Sequence, residues 1–260
     1  MTATSCTEVC GQARTTRRID RWWLSPLLSA IFLAACSGYA AWAAIQTRDF
    51  ASGPYISPLY SPCVAAICGA HADVVLFGTW WRWSPALIVV VFPIGLRAPC
   101  YYYRKLYYRA FWLSPPACAV AEPHRRYSGE SRWPLVFQNG HRWLWYAGVL
   151  VGVMLSVDAV RAFRFGSSFG LGVGTFVITL NAAVFWGYLL SCHACRHLVG
   201  GNLRSFSDHR LRYRLWKMAS KLNARHGLFA LISLPLVMLT DAYVRMVAVN
   251  LFPDPRFLIR

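Results

Sequence analysis

The stretch FGLGVGTFVITLNAAVFWGYLLSCHAC, from Phe169 to Cys195, decides how this chain folds. It contains no Asp, Glu, Lys or Arg, and it is longer than the roughly 20 apolar residues that a helix needs to cross a membrane. We therefore predict a transmembrane helix over 169–195. The rest of the chain agrees, because 57% of its 260 residues are hydrophobic and its mean hydropathy is +0.37, which is too apolar for a soluble domain.

Four further apolar runs are long enough to cross a membrane. The amino-terminal 20 residues are polar and the first run is full length, so we predict a retained anchor rather than a cleaved signal peptide. Prolines inside two runs are compatible with membrane helices, because neighbouring helices can satisfy the freed carbonyl groups. The predicted fold is all-α, an integral membrane bundle of five transmembrane helices in a single domain over 1–260. Besides 169–195, the helices cover about 24–46, 84–103, 143–163 and 227–250.

The distribution of positive charge predicts the orientation of the bundle. Twenty of the 27 Lys and Arg lie in the amino terminus, in 97–142 or in 196–225. Because cytoplasmic loops are enriched in Lys and Arg, we expect the amino terminus and the loops 104–142 and 196–226 to be cytoplasmic, and 47–83 to be the outer loop. This asymmetry explains the net charge of +17 without any nucleic-acid partner.

Cysteine and histidine side chains gather at the predicted cytoplasmic end of the bundle. Thiolate and imidazole groups together are the ligands of several redox metal centres. Cys192 and Cys195 are three residues apart and would share one helix face, while His193 and His197, four apart, would share an adjacent face. For any single histidine, the alternative is an interfacial side chain bonded to a carbonyl group or a lipid headgroup. The set is Cys100, Cys118, Cys192, Cys195, His124, His141, His193, His197 and His226.

Elsewhere the sequence predicts local pairing rather than a functional site. Charged side chains within a membrane helix are often functional, but opposite charges three or four residues apart can also satisfy each other. Two cysteines in an outer loop favour a disulfide in an oxidising compartment. The predicted pairs are the ion pairs Asp158–Arg161 and Asp241–Arg245 and the disulfide Cys63–Cys68.

Several short motifs along the chain together resemble a known family. They are PCYYYRK at 99–105, FWLSPPACAVAEPH at 111–124, YSGE at 127–130, QNGHR at 138–142 and CHACRH at 192–197. The ordered set resembles the membrane anchor subunit, of the cytochrome b or SdhC kind, of a bacterial succinate dehydrogenase, or respiratory complex II. It is most similar to the single-subunit, five-helix anchors sometimes called type F. The resemblance covers about residues 20–250.

The resemblance implies a multi-pass subunit of the bacterial cytoplasmic membrane with no succinate site of its own. In such complexes a flavoprotein subunit carrying FAD passes electrons through an iron–sulfur subunit, docked on the cytoplasmic face, to quinone in the membrane. Oligomers of heterotrimers are possible. The chain agrees with this division, because it has neither a dinucleotide-binding glycine motif nor the cysteine spacing of the soluble iron–sulfur clusters.

Anchors of this class are thought to hold a Rieske-type [2Fe–2S] cluster, with two cysteines on one iron and two histidines on the other. We assign Cys192 and Cys195 to one iron and His141 and His226 to the other, although the spacing of soluble Rieske proteins is absent. One alternative is a haem b held between His141 and His226. Another is a membrane transporter, which would be favoured by internal repeats, but this sequence has no such repeats. Reserve ligands are Cys100, Cys118, His193 and His197.

A quinone site needs hydrogen-bond donors and an apolar slot close to the last electron carrier. The loop before His141 offers polar side chains at the predicted membrane surface, and the tyrosines of 101–108 could form aromatic walls. For those aromatic residues the alternative is the ordinary interfacial belt of a membrane protein. The predicted quinone-binding residues are Ser128, Trp133, Gln138, Asn139 and Arg142.

Overall fold

The structure is a computed structural model that describes residues 18–61, 86, 91, 94–123, 131–133, 135–201 and 203–259. Its helices are α1 (Leu24–Ile45), α2 (Tyr101–Tyr107), α3 (His141–Arg161), α4 (Val173–Leu190), α5 (His193–Gly200), α6 (Arg210–Asn223) and α7 (His226–Ala248). A π-helical turn (Tyr108–Trp112) extends α2, and a 3-10 helix (Leu135–Gly140) precedes α3. The strands are β1 (Ala51–Ser52), β2 (Tyr55–Ile56), β3 (Arg164–Phe165), β4 (Ser168–Gly172) and β5 (Arg256–Ile259).

Four helices in the described part of the chain are long and apolar enough to cross a membrane, namely α1, α3, α4 and α7. The predicted helix over 84–103 is described only in part: residues 86, 91 and 94–97 are helical, and α2 begins at Tyr101. The predicted disulfide Cys63–Cys68 lies outside the described residues. The fold is therefore mostly helical and membrane-spanning, with four candidate spans described where the sequence predicts five.

The predicted helix over 169–195 is divided into three parts. Residues 168–172 form β4, α4 ends at Leu190, and α5 begins at His193. Cys192 has extended backbone angles (φ −66°, ψ 144°), and its Sγ accepts a hydrogen bond from the backbone N–H of Ala194. Because the chain turns here, Cys192 and Cys195 do not share the face of one continuous helix.

Small residues let α4 pack closely against its neighbours α3 and α7. A side chain at Gly187 would place its Cβ 2.4 Å from the ring of Phe229 in α7, and one at Gly148 in α3 would lie 3.0 Å from Leu189. Trp145 Nε1 donates to the Leu189 carbonyl across the α3–α4 contact, at 3.0 Å. Close backbone approach of this kind is how membrane helices associate without a hydrophobic driving force.

The ends of the bundle differ in structure. At one end, which we call the histidine end, His141 begins α3, His226 begins α7 and Leu190 ends α4. The opposite end carries the β1–β2 hairpin and a three-stranded antiparallel sheet in the order β3-β4-β5. This small sheet is an addition to the predicted all-α fold. Asp254, just before β5, accepts hydrogen bonds from Tyr55 of β2 (2.7 Å) and from Tyr243 of α7 (2.6 Å). It therefore links the hairpin to α7.

Buried charge at the opposite end is paired within its own helix, as the sequence predicts. Arg245 Nε donates to Asp241 at 2.8 Å, four residues away in α7. Asp241 also accepts hydrogen bonds from Tyr39 of α1, at 2.6 Å, and from Ser57 of the hairpin segment. In α3 the pair Asp158–Arg161 is looser, with 4.0 Å between the nearest oxygen and nitrogen.

Candidate metal centre

Two thiols and two imidazoles lie together at the histidine end, and we call Cys100, His141, Cys192 and His226 the thiol–imidazole cluster. They come from four different places: the end of segment 94–100, the first residue of α3, the turn after α4 and the first residue of α7. No member is more than 5% exposed. The cysteines are free thiols. A buried set of this kind offers two sulfur and two nitrogen donors.

His141 and Cys192 form the first pair. His141 Nε2 lies 3.1 Å from Cys192 Sγ, and its Nδ1 lies 3.1 Å from the carbonyl oxygen of Leu96. Since a carbonyl only accepts, Nδ1 carries the proton and the lone pair of Nε2 points to the sulfur. Histidine ligands of metals are held in this way, with the second ring nitrogen bonded to a carbonyl or carboxylate.

His226 and Cys100 form the second pair in the same manner. His226 Nε2 lies 3.6 Å from Cys100 Sγ, and its Nδ1 lies 2.8 Å from Ser191 Oγ. The Ser191 hydroxyl donates to the carbonyl of Tyr188, at 3.1 Å, so its oxygen is left to accept from Nδ1–H. Both imidazoles therefore present an unprotonated Nε2 to a cysteine.

The two pairs are connected crosswise. His141 bonds Leu96, which is on the segment that ends at Cys100, and His226 bonds Ser191, which directly precedes Cys192. Burial raises the pKa of the Cys192 thiol to about 12, and the neighbouring thiol of Cys100 shifts it in the same direction. The free thiol therefore stays protonated at neutral pH, whereas a bound metal would hold it as the thiolate.

The remaining predicted ligands lie around or away from this cluster. The ring of His193 stacks on His141 with centroids 5.2 Å apart, and the donor atoms of His141, Cys192 and His193 lie within 4.8 Å of one another, but His193 is exposed. Cys195 is buried one turn into α5. Cys118 and His197 are exposed, and His124 lies outside the described residues.

The predicted quinone-binding residues that the structure describes differ in exposure. Gln138 is buried, where its amide bonds the hydroxyls of Tyr107 (2.9 Å) and Tyr108 (3.0 Å). Trp133 is 82% exposed. Asn139 and Arg142 are also exposed, and Ser128 lies outside the described residues.

Two residues behind the cluster are not among those predicted from the sequence. Tyr188 stacks on His226, with centroids 5.0 Å apart and an interplanar angle of 8°. The guanidinium of Arg97 lies 5.5 Å from the Tyr188 ring and 5.7 Å from the Phe185 ring. Arg97 is 8% exposed, although the sequence prediction counted it among the charges of a loop. Its signal was a single cation inside the apolar run 84–103, and such residues are often functional.

A helical bundle with four candidate membrane spans among its described residues, and with buried thiol and imidazole side chains at one end, has the form of an integral membrane subunit. Comparison with protein families gives a match over residues 24–250 to the actinobacterial succinate dehydrogenase subunit SdhC, and the chain belongs to this family.

A solved structure agrees with this assignment. The chain is similar to a chain of the Mycobacterium smegmatis Sdh1 complex in the apo form, with 44% sequence identity, a TM-score of 0.85, and 94% of each chain covered. Comparison with the curated proteins gives no match.

Proposed function

We propose that this chain anchors a succinate dehydrogenase in the bacterial cytoplasmic membrane and passes electrons from a docked iron–sulfur subunit to membrane quinone through a Rieske-type [2Fe–2S] cluster. The flavoprotein and iron–sulfur subunits are the proposed partners, and FAD and the other clusters belong to them. The observation that carries the proposal is the crosswise arrangement of Cys100, His141, Cys192 and His226, each histidine presenting Nε2 to a cysteine.

The residues fit the cluster by number and kind of donor. Two thiolates and two imidazoles are the ligand set of a Rieske centre, and when bound such a centre accepts and releases single electrons at a higher potential than an all-cysteine cluster. We propose Cys100 in place of Cys195, because Cys100 Sγ lies 3.6 Å from His226 Nε2, while the described hydrogen bonds give Cys195 no such contact with an imidazole. His193, Cys195, His197 and Cys118 are then not ligands.

A haem b between His141 and His226 has less support. A haem would use only the two imidazoles and leave unused the two thiols that lie within 3.6 Å of them. A transporter would be favoured by internal repeats, which the sequence lacks.

The test is the metal content of the purified complex with a pair of cysteine variants. We expect two irons and two acid-labile sulfides beyond the share of the soluble subunits, with a Rieske-like electron paramagnetic resonance signal. Cys100→Ser should abolish that signal and quinone reduction, since a hydroxyl is a poor ligand for iron. Cys195→Ser should retain both.

Three results would contradict the proposal: no extra sulfide, zinc in place of iron, or loss of the signal in Cys195→Ser with retention in Cys100→Ser. Succinate oxidation by a soluble artificial acceptor serves as the control, because it needs only the partner subunits. That activity should be the same in both variants.

The position of the quinone is a separate question. The quinone-binding residues predicted from the sequence remain a prediction, namely Ser128, Trp133, Gln138, Asn139 and Arg142. Among them, the amide nitrogen of Gln138 already donates hydrogen bonds to the hydroxyls of Tyr107 and Tyr108.

A further inference from the structure

A groove runs along the outside of the bundle at the histidine end, between α1, α2 and α7. Its inner part is a cleft of about 230 Å³, and its outer part is a cleft of about 440 Å³. Both clefts are lined by Ser25 and Ser29 of α1, Leu106 of α2 and Leu231 of α7, so they form one groove. We call it the α1–α2 groove.

The wall of the groove along α1 is apolar and open. Leu24, Leu28 and Phe32 line the outer cleft, and their spacing of four residues places them on one face of the helix. Leu24 and Leu28 are 40% and 56% exposed, and Leu231 on the α7 side is 49% exposed. Because α1 and α7 are candidate membrane spans, this wall offers an apolar surface to lipid chains.

The same groove has a basic mouth. Lys105 and Arg109 line its inner cleft, and Arg21 lines its outer cleft. None of these three charged groups takes part in the ion pairs or side-chain hydrogen bonds of the described residues. Lys105 and Arg109 are four residues apart, a spacing at which like charges on a helix repel each other. An anion that contacts both of them would therefore be stabilised.

Neighbouring carboxylates leave the mouth positive. Asp20, next to Arg21, forms an ion pair with Arg18. Glu122 lines a separate cleft beside the mouth, where it faces Arg104 as well as Lys105 and Arg109. One carboxylate is thus set against several cations, and the electrostatic complement of the mouth is an anion.

We propose that the α1–α2 groove binds an anionic phospholipid of the surrounding leaflet, with its phosphate at Lys105 and Arg109 and an acyl chain along Leu24, Leu28 and Phe32. Basic pockets between membrane helices are typical sites for such headgroups. Trp23, directly before α1, is 49% exposed, and tryptophan at a helix end is typical of the headgroup level. The proposal goes beyond the proposed function, because it requires neither the cluster nor quinone.

Photolabelling of the purified complex in detergent tests the site. The complex is irradiated with a phosphatidylglycerol that carries a diazirine in one acyl chain, and the adducts are mapped by mass spectrometry. We expect adducts within 24–32 and at Leu231, suppressed by excess unlabelled phosphatidylglycerol but not by phosphatidylcholine or inorganic phosphate at the same concentration.

Each other outcome of this competition overturns the proposal. Equal suppression by phosphatidylcholine would show ordinary boundary lipid without headgroup selection. Suppression by inorganic phosphate would show an anion site that needs no lipid, and suppression by a quinone would assign the groove to quinone. Absence of adducts from α1 would show that the groove is covered or empty in the complex.

A charge-neutralised pair of residues tests the headgroup contact. The double variant Lys105→Gln with Arg109→Gln should raise the lipid concentration that half-saturates labelling by about 10-fold or more. The matched control is Arg210→Gln with Arg214→Gln, which removes two exposed charges, also four residues apart, from α6. Unchanged labelling in the first variant, or an equal loss in both, would overturn the proposal.

Filling the groove tests the acyl-chain contact. Ser29→Phe places a phenyl ring in both clefts and should abolish the adducts within 24–32, whereas Ala35→Phe, at an exposed position of α1 outside the groove, should not. Wild-type labelling in Ser29→Phe would overturn the proposal. Succinate oxidation by a soluble acceptor reports assembly of every variant, and the competition on wild-type complex decides the question if one fails to assemble.

Discussion

Ser191 sets the protonation of His226, and its hydroxyl is the acceptor that leaves Nε2 free to face Cys100. Loss of a bond to the second nitrogen of a metal-bound histidine typically lowers metal affinity about 10- to 100-fold. We predict that Ser191→Ala lowers the iron content of the complex and shifts the paramagnetic signal, measured on the purified protein. Ser207→Ala, at an exposed serine, is the control. An unchanged signal in Ser191→Ala would argue that His226 is not a ligand.

At this scale the sequence predicts the cluster in part. His141 and His226 are recognisable because each begins an apolar helix, and Cys192 because it follows one. The choice of Cys195 over Cys100 assumed a continuous helix through 192–197, and nothing in the local sequence marks the turn at Cys192. Cys100 reaches His226 from a segment 126 residues away, a contact that spacing rules cannot give.

At the scale of elements, the packing of α4 on α7 depends on Gly187. A Cβ there would lie 2.4 Å from the Phe229 ring, a distance that requires the helices to move apart. We predict that Gly187→Ala lowers the stability of the complex by about 1–3 kcal/mol, as overpacking does, seen as a lower Tm in detergent. Gly38→Ala in α1 is the control, because a Cβ at Gly38 has open space. Equal melting temperatures for the two variants would show that α7 can shift without any loss of stability.

The segment 196–226 shows what charge counting leaves out. Its eight Lys and Arg favour a cytoplasmic loop, but they are interleaved with apolar residues, and the segment contains α6. The helix packs back on α5: Trp216 covers Gly200, and Arg212 Nε donates to the Val199 carbonyl at 2.8 Å. An amphipathic helical period is readable in the sequence there, although a positive charge at nearly every other position obscures it.

For the molecule as a whole, the sequence predicts the membrane class and the family because both depend on features spread along the chain. Apolar runs of 20 residues have one physical explanation, and the ordered motifs from 99 to 197 combine into a specific pattern. The small sheet at the opposite end cannot be predicted from local sequence, because β5 pairs with β4 from a distant part of the chain.

A hydrogen-bond network around Asp241 links α1, the hairpin segment and α7 at the opposite end of the bundle. Arg245 bonds Asp241 in α7, and its other nitrogens donate to the backbone carbonyls of Ala43 and Arg48, while Asp241 accepts from Tyr39. Removing one partner of a buried ion pair leaves the other charge without compensation, which costs about 3–5 kcal/mol. We predict that Arg245→Met strongly lowers the Tm and yield of the complex.

Two further variants decide whether charge pairing is the reason. Arg161→Met removes the half-exposed partner of the looser pair in α3 and should have a small effect, because screened pairs contribute little. The double variant Asp241→Asn with Arg245→Met removes the orphaned carboxylate, so it should be more stable than Arg245→Met alone. If the double variant were less stable than the single one, the contacts of Arg245 with Ala43 and Arg48, rather than its charge, would be what holds α1 and the hairpin to α7.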